Sequence, residues 1–195
     1  VDIDDIADRP PREEGAVFLD YRSPPLSALA TTMMKVSLNI YAETLLKTLG
    51  RSADTATIEE GRTAARSTLQ GWGVSLSGLI MVDGSGLSRY NFVTPELLVT
   101  ILTYVDKDER LREPFEAALP VAGRDGTLTR RMKGSLAEGN ARAKTGSLSN
   151  ARALSGYVRT ADGEPLVFSI IANNFDVPAL VVDQSSLTIA HALVR

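Results

Sequence analysis

Two short motifs carry residue types that can do chemistry together. The first is Lys144-Thr145-Gly146, inside the run Ala141-Arg142-Ala143-Lys144-Thr145-Gly146-Ser147-Leu148-Ser149-Asn150. The run alternates like a strand, enters a serine-rich turn and is followed at once by a second β-type run from Ala153, so it reads as the first arm of a hairpin. A strand edge of this kind sets a cation, a hydroxyl and a bare backbone position side by side. Lys supplies positive potential and Thr a donor for a carboxylate, and Gly lets a ligand backbone lie close. Such an edge can hold an extended peptide that ends in a carboxylate. The bland alternative is a solvated strand end, since chance supplies this tripeptide in about one chain in twenty of this length.

The second motif is Ser37-Leu38-Asn39, the only Ser-x-Asn in the chain. It falls at a break between two helical stretches, where a hydroxyl and an amide two residues apart can face one cleft as proton relay and amide binder. Read blandly, Ser37 is a helix N-cap and Asn39 an early-turn residue. Lys35 just ahead of it is one of only five lysines (Lys35, Lys47, Lys107, Lys133, Lys144) among 21 basic residues. Each is therefore worth inspecting, because a compact ammonium is not interchangeable with a guanidinium.

Other signals carry less. Asp83-Gly84-Ser85-Gly86-Leu87-Ser88 lacks the third Gly of a dinucleotide fingerprint and the Gly-Lys of a phosphate loop, and reads as a structural turn. His191, the only histidine, lies among Ile189, Ala190 and Leu193 as a packing residue. Arg124, Arg130, Arg131 and Lys133 form a basic cluster that reads as a solvated face, or as an attractor of acidic peptide if it borders the cleft.

The elements that must position these residues follow from periodicity. The chain has 195 residues, 44% hydrophobic and 23% charged, with a formal net charge of -3. That is an ordinary globular composition with no reason to expect nucleic acid or an anionic membrane as partner. It has no cysteine, which excludes disulfides and thiolate chemistry, and the single histidine leaves little for a metal site. Residues 1–15 read as a linker or the tail of an upstream segment, and 16–195 as one domain. Ala16–Tyr21 is strand-like. Helices are expected from Leu26 (capped by Ser23 or Ser27), over Leu38–Leu49, over Asp54–Leu69 (capped by Asp54 or Thr55), from Pro95 to about Val105, over Asp108–Leu119 and over Pro178–Val194. A short strand is expected at Leu79–Val82, and a long loop over Pro120–Asn140. Three strands near 141–146, 153–160 and 166–174, joined by short turns, make an antiparallel sheet, so the class is α+β with the sheet flanked by helices.

Ser-x-Asn followed by Lys-Thr-Gly is two thirds of the motif set of penicillin-recognising serine enzymes. The segments Ser23–Leu46, Asp83–Arg89, Ala122–Leu128 and Ala143–Leu148 stand in the order of the D-alanyl-D-alanine carboxypeptidases of the peptidase S13 type, the class C low-molecular-mass penicillin-binding proteins, and from about residue 16 the chain resembles them. The resemblance implies a partial β-lactamase/transpeptidase-like fold and a periplasmic or extracytoplasmic enzyme whose signal peptide is not in this chain. It implies a D-Ala-D-Ala stem peptide of peptidoglycan as substrate, β-lactams as inhibitors and no cofactor. It also implies roles: Ser37 relays a proton, Asn39 binds the substrate amide, and Lys144 supplies potential. Thr145 binds the terminal carboxylate, Gly146 allows close approach, and the Ser147 N–H forms half of an oxyanion hole.

The family's nucleophile belongs to a Ser-x-x-Lys, and no Ser here has Lys three residues on. Thr32–Lys35 and Thr44–Lys47 are the near misses, and both read as helix turns. The chain is thus expected to be the C-terminal portion of a longer enzyme, inactive alone and needing the upstream part or self-association to cover an apolar face. The alternative is a non-catalytic relative that binds peptidoglycan or a partner.

Overall fold

The computed structural model describes residues 22–51 and 56–195. The expected linker over 1–15, the strand-like run at Ala16–Tyr21 and the caps at Asp54 or Thr55 lie outside them. Helices α1 (Leu26–Val36), α2 (Asn39–Leu49), α3 (Ile58–Gly71), α4 (Pro95–Lys107) and α5 (Glu109–Ala118) come first. Strands β1 (Arg142–Leu148), β2 (Ala151–Arg159) and β3 (Pro165–Asn173) follow, then α6 (Ala179–Ala192). The class is α+β, as expected.

Local chemistry sets most boundaries. Thr57 caps α3, in a capping box with Glu60. Thr94 accepts from the Leu97 N–H at 3.2 Å with Pro95 at the first helical position of α4. Asp108 caps α5, which absorbs Pro114. At α1 the expectation of a serine cap fails: the capping position is Pro25, with no side-chain hydrogen bond. The strand expected at Leu79–Val82 contracts to a single bridge between Ile80 and Phe92.

The sheet has the order β1-β2-β3, antiparallel throughout, with Lys144 opposite Ser155 and Ser155 opposite Ser169. Alternation then sorts the side chains. Ala143, Leu154, Val158 and Phe168 turn to one face, where they pack with Ala190 and Val194 at the end of the chain and with Leu128 and Ala137 of the 120–140 loop. Tyr157 and Val167 turn to the other face, against Leu102, Phe115, Leu119 and Met34 from the helical layer. The Tyr157 hydroxyl donates to the Leu102 carbonyl at 2.9 Å. Lys144 has the parity of Tyr157, so it points to the helical layer. α2 and α3 meet backbone to backbone: a Cβ on Gly61 would sit 1.9 Å from the Leu46 carbonyl oxygen.

Candidate active site

Ser37 occupies the turn between α1 and α2. It is not the N-cap of α2, a position held by Leu38. It is the residue that ends α1, left-handed at φ 58°, ψ 51°, with its N–H on the Met33 carbonyl. The Leu38 N–H reaches the same carbonyl at 3.1 Å, so two donors close the last turn. Glycine or asparagine is the usual occupant of this conformation, and a residue with an ordinary Cβ costs roughly 1–2 kcal/mol there. The serine hydroxyl has a use that explains it. It accepts from the Lys144 Nζ at 2.7 Å, across 107 residues of sequence.

Lys144 also donates to the Thr145 carbonyl at 2.8 Å. Burial depresses its ammonium below the ordinary 10.5, because a low-dielectric surrounding disfavours the charged form. An ammonium has only donors, so Ser37 Oγ must accept from it. That leaves the serine's own proton free to go elsewhere.

The register decides which backbone groups of β1 are open. Leu148 and Ala151 pair across the two-residue turn at Ser149-Asn150, and in such a hairpin this pair exchanges both hydrogen bonds. Counting back, Gly146 and Lys144 also bond to β2, whereas Ser147, Thr145 and Ala143 aim their N–H and C=O groups outward. The Ala143 N–H accordingly meets the Pro120 carbonyl at 3.0 Å, and the Ala141 carbonyl meets the Ala122 N–H at 2.9 Å. The 120–128 segment stops there. Along the rest of the strand the segment makes no backbone hydrogen bond to Thr145 or Ser147, and Gly146 and Ser147 are both exposed.

Two supports lie outside the Ser-x-Asn and Lys-Thr-Gly motifs. Thr145 Oγ1 lies 3.0 Å from Thr127 Oγ1, in the short 3-10 turn Gly126–Leu128. Just before that turn, Asp125 Oδ2 accepts from Lys35 Nζ at 2.6 Å and Oδ1 from the Val121 N–H at 2.8 Å. Burial alone would raise the Asp125 carboxyl, but the ammonium and the N–H outweigh it and hold the group below the usual 3.8. On the other side Glu43 of α2 accepts from the Gly84 and Ser85 N–H groups at 3.2 and 2.9 Å. Asp83 accepts from the Gly86 and Ser88 N–H groups, each at 2.7 Å. The 83–88 segment is thus the structural turn expected, and it delivers Arg89 Nη2 to Ser149 Oγ at 3.2 Å.

Of the expected residues, Ser37, Lys144 and Thr145 come together. Asn39 is exposed at the first position of α2, and among the described residues its amide makes no hydrogen bond. His191 packs on α6, half-buried, its Nδ1 without a partner among the described residues. Arg131 of the basic cluster is paired with Asp183 at 3.0 Å. Among the described residues no group of three or more His, Asp or Glu could hold a metal. No described helix is long and apolar enough to cross a membrane.

The chain is similar to known proteins in sequence and in fold. The model of the D-Ala-D-Ala carboxypeptidase 3 (S13) family matches residues 4–192. The D-alanyl-D-alanine carboxypeptidase of Actinomadura sp. (strain R39) is 39% identical over 186 residues, 92% of this chain and 34% of that protein. DacB of Haemophilus influenzae is 35% identical over 172 residues, 84% of this chain and 35% of that one. The crystal structure of penicillin binding protein 4 (dacB) from Haemophilus influenzae, complexed with a β-lactam, superposes with a TM-score of 0.78 at 30% identity. It covers 88% of this chain and 42% of that chain. The β-lactamase TLA-1, at 15% identity and a TM-score of 0.66 over 86% of this chain and 64% of that chain, shares the fold. The chain is therefore a partial region with a penicillin-binding/β-lactamase-like fold, and it spans about a third of the length of the curated relatives it matches.

Proposed function

The chain belongs to the D-Ala-D-Ala carboxypeptidase 3 (S13) family, and from that premise we propose that it carries the carboxylate-binding and proton-relay half of a serine D,D-peptidase site. The substrate is a peptidoglycan stem peptide ending in D-Ala-D-Ala. β-Lactams inhibit the complete protein by acylating it. The observation that carries the reading is the 2.7 Å contact between the Lys144 ammonium and Ser37 Oγ, beside a strand edge with outward backbone groups.

The nucleophile in this reading is the Ser of a Ser-x-x-Lys upstream of this chain. It attacks the carbonyl of the penultimate D-Ala, the peptide C–N bond breaks, and an acyl ester forms that water then hydrolyses. Ser37, accepting from Lys144, gives its own proton to the leaving amine and regains one from the nucleophile by way of the upstream Lys. Asn39 binds the substrate amide and that upstream Lys. The terminal carboxylate meets the Lys144 potential and the Thr145 hydroxyl. The Thr145 hydroxyl donates to Thr127 Oγ1 at 3.0 Å; when the carboxylate binds, Thr127 donates in its place and the Thr145 proton turns to the carboxylate. Gly146 admits the substrate backbone. The outward Ser147 N–H is half of an oxyanion hole, where losing one donor lowers kcat about 10²–10³-fold. No metal or organic cofactor is needed. The site of action is the periplasm or another extracytoplasmic space, where the stem peptides are.

The exposed Leu180, Val181 and Ile189 of α6, interspersed with exposed Gln184, Ser185 and Thr188, are covered by the upstream part of the protein or by a second copy. The test is labelling with a fluorescent penicillin. The complete protein is expected to be acylated and the 195-residue chain alone to remain unlabelled. A covalent adduct on the chain alone overturns the upstream nucleophile, and an unlabelled complete protein overturns the enzymatic reading.

A further inference from the structure

Lys35 takes no part in the proposed acyl transfer. In the fold it lies two residues before Ser37 and donates to Asp125 at 2.6 Å. Its side chain is only 18% exposed, and both carboxylate oxygens of Asp125 are used, one by Lys35 and one by the Val121 N–H. The Asp125 side chain is 44% exposed, but the bonds to both of its oxygens fix the pair, unlike a surface ion pair whose two long side chains wander. The next residue grips the same helix turn. Gly126, at φ +54°, lies so close to α1 that a Cβ there would sit 2.5 Å from the Lys35 carbonyl oxygen. The residue after it, Thr127, touches Thr145. The start of the segment is stitched to β1 through the Pro120 carbonyl and the Ala122 N–H.

We propose that Lys35, Asp125, Gly126 and Thr127 form a positioning bridge that sets the separation between Ser37 and the Thr145 edge. These are positioning residues: they act on the site through the backbone turn that presents Ser37 and the hydroxyl that braces Thr145. Without the bridge, the hydrogen bond left between the two walls at this point among the described residues is Lys144–Ser37, whose partners must rearrange as protons move. The bridge keeps the walls in place while they do. A displacement of about 1 Å in such a wall can cost 10²-fold in rate.

The kinetic half of the test rests on the proposed function, and the spectroscopic half does not. In assigned ¹H–¹⁵N spectra of the 195-residue chain, Asp125→Asn is expected to move the amides of Ser37 and Leu38 together with those of Thr145 and Ser147. Amides of β3 and α6 stay in place, and Lys35→Arg moves both sets less than Lys35→Met. Shifts confined to 120–128 overturn the bridge. In the complete protein, Asp125→Asn and Lys35→Met are expected to slow acylation by a fluorescent penicillin about 10–100-fold. The double variant should be no slower than the slower single, because the pair acts as one unit. Thr127→Val, which keeps the ion pair, is expected to slow it about tenfold at an unchanged Tm, with Thr127→Ser restoring the rate. Rates within twofold of wild type in all of these overturn the proposal. If Asp125→Asn fails to fold, Thr127→Val decides. If the wild-type complete protein is not acylated at all, the function proposed above falls while the spectra still judge the bridge.

Discussion

Ser37 offers a test that separates what the fold prefers from what the site requires. Its left-handed backbone at φ 58° strains any residue with an ordinary Cβ. Ser37→Ala and Ser37→Gly both delete the hydroxyl, so the lost contact with Lys144 cancels when the two variants are compared. What remains is conformational. Glycine escapes a left-handed cost of about 1–2 kcal/mol, and its extra freedom in the unfolded chain takes back about 0.4–1 kcal/mol. Ser37→Gly should therefore be more stable than Ser37→Ala by about 0.5–1 kcal/mol. Urea unfolding at a common slope reads this as a higher midpoint, and melting reads it as about 2–4 °C per kcal/mol for a domain of this size. Both variants should be equally defective in acylation when placed in the complete protein. An alanine variant as stable as the glycine one refutes the strain, and with it the reason given for a serine in a glycine position.

Lys144→Met tests the buried ammonium. The folded value lies below the ordinary 10.5, so the charged side chain costs stability at any pH below the folded value, and that cost fades as pH climbs from there toward 10.5. The stability of Lys144→Met relative to wild type should accordingly fall as pH rises toward 10.5 in urea titrations, and a pH-independent difference contradicts the burial. Gly61→Ala sets helix propensity against packing. Alanine gains about 1 kcal/mol in a helix interior, yet a Cβ 1.9 Å from the Leu46 carbonyl oxygen must push α2 from α3. The net expectation is a loss of about 1–3 kcal/mol, and an unchanged or raised Tm argues against the close crossing.

The helices and strands were legible because their signals are local: Thr94-Pro95 opens α4, and alternation from Ala141 marks β1. Ser37 was misread in its bland form for a local reason as well. Serine beside a helix is usually an N-cap, and only a lysine 107 residues away explains why it ends α1 instead. The same holds for the Ser23 or Ser27 cap, where Pro25 took the position with no side-chain bond. Leu79–Val82 is apolar enough for a strand, but only Ile80 finds a bridge partner. The contacts the sequence hid are polar pairs between distant segments: Lys35 with Asp125, Glu43 with the 84–85 backbone, Arg89 with Ser149 and Thr127 with Thr145. Such pairs have no period, and each member alone looks like a solvated surface residue. The unusual scarcity of lysine was the one hint, since two of the five lysines, Lys35 and Lys144, lie partly buried in this region.

The edge of β1 has one more consequence. An unpaired strand invites any passing chain to extend the sheet, which is how aggregates start. Here the 120–128 segment shields one end of the edge and the turn at Ser149-Asn150 ends it at the other, and the Thr145 carbonyl is taken by Lys144, so the outward groups left clear among the described residues are the Thr145 N–H and the N–H and C=O of Ser147. Two residues of strand span about 7 Å, roughly the length of one dipeptide. An opening of that size acts as a ruler: it has room for the end of a short peptide, and too few hydrogen bonds to hold the flank of another sheet.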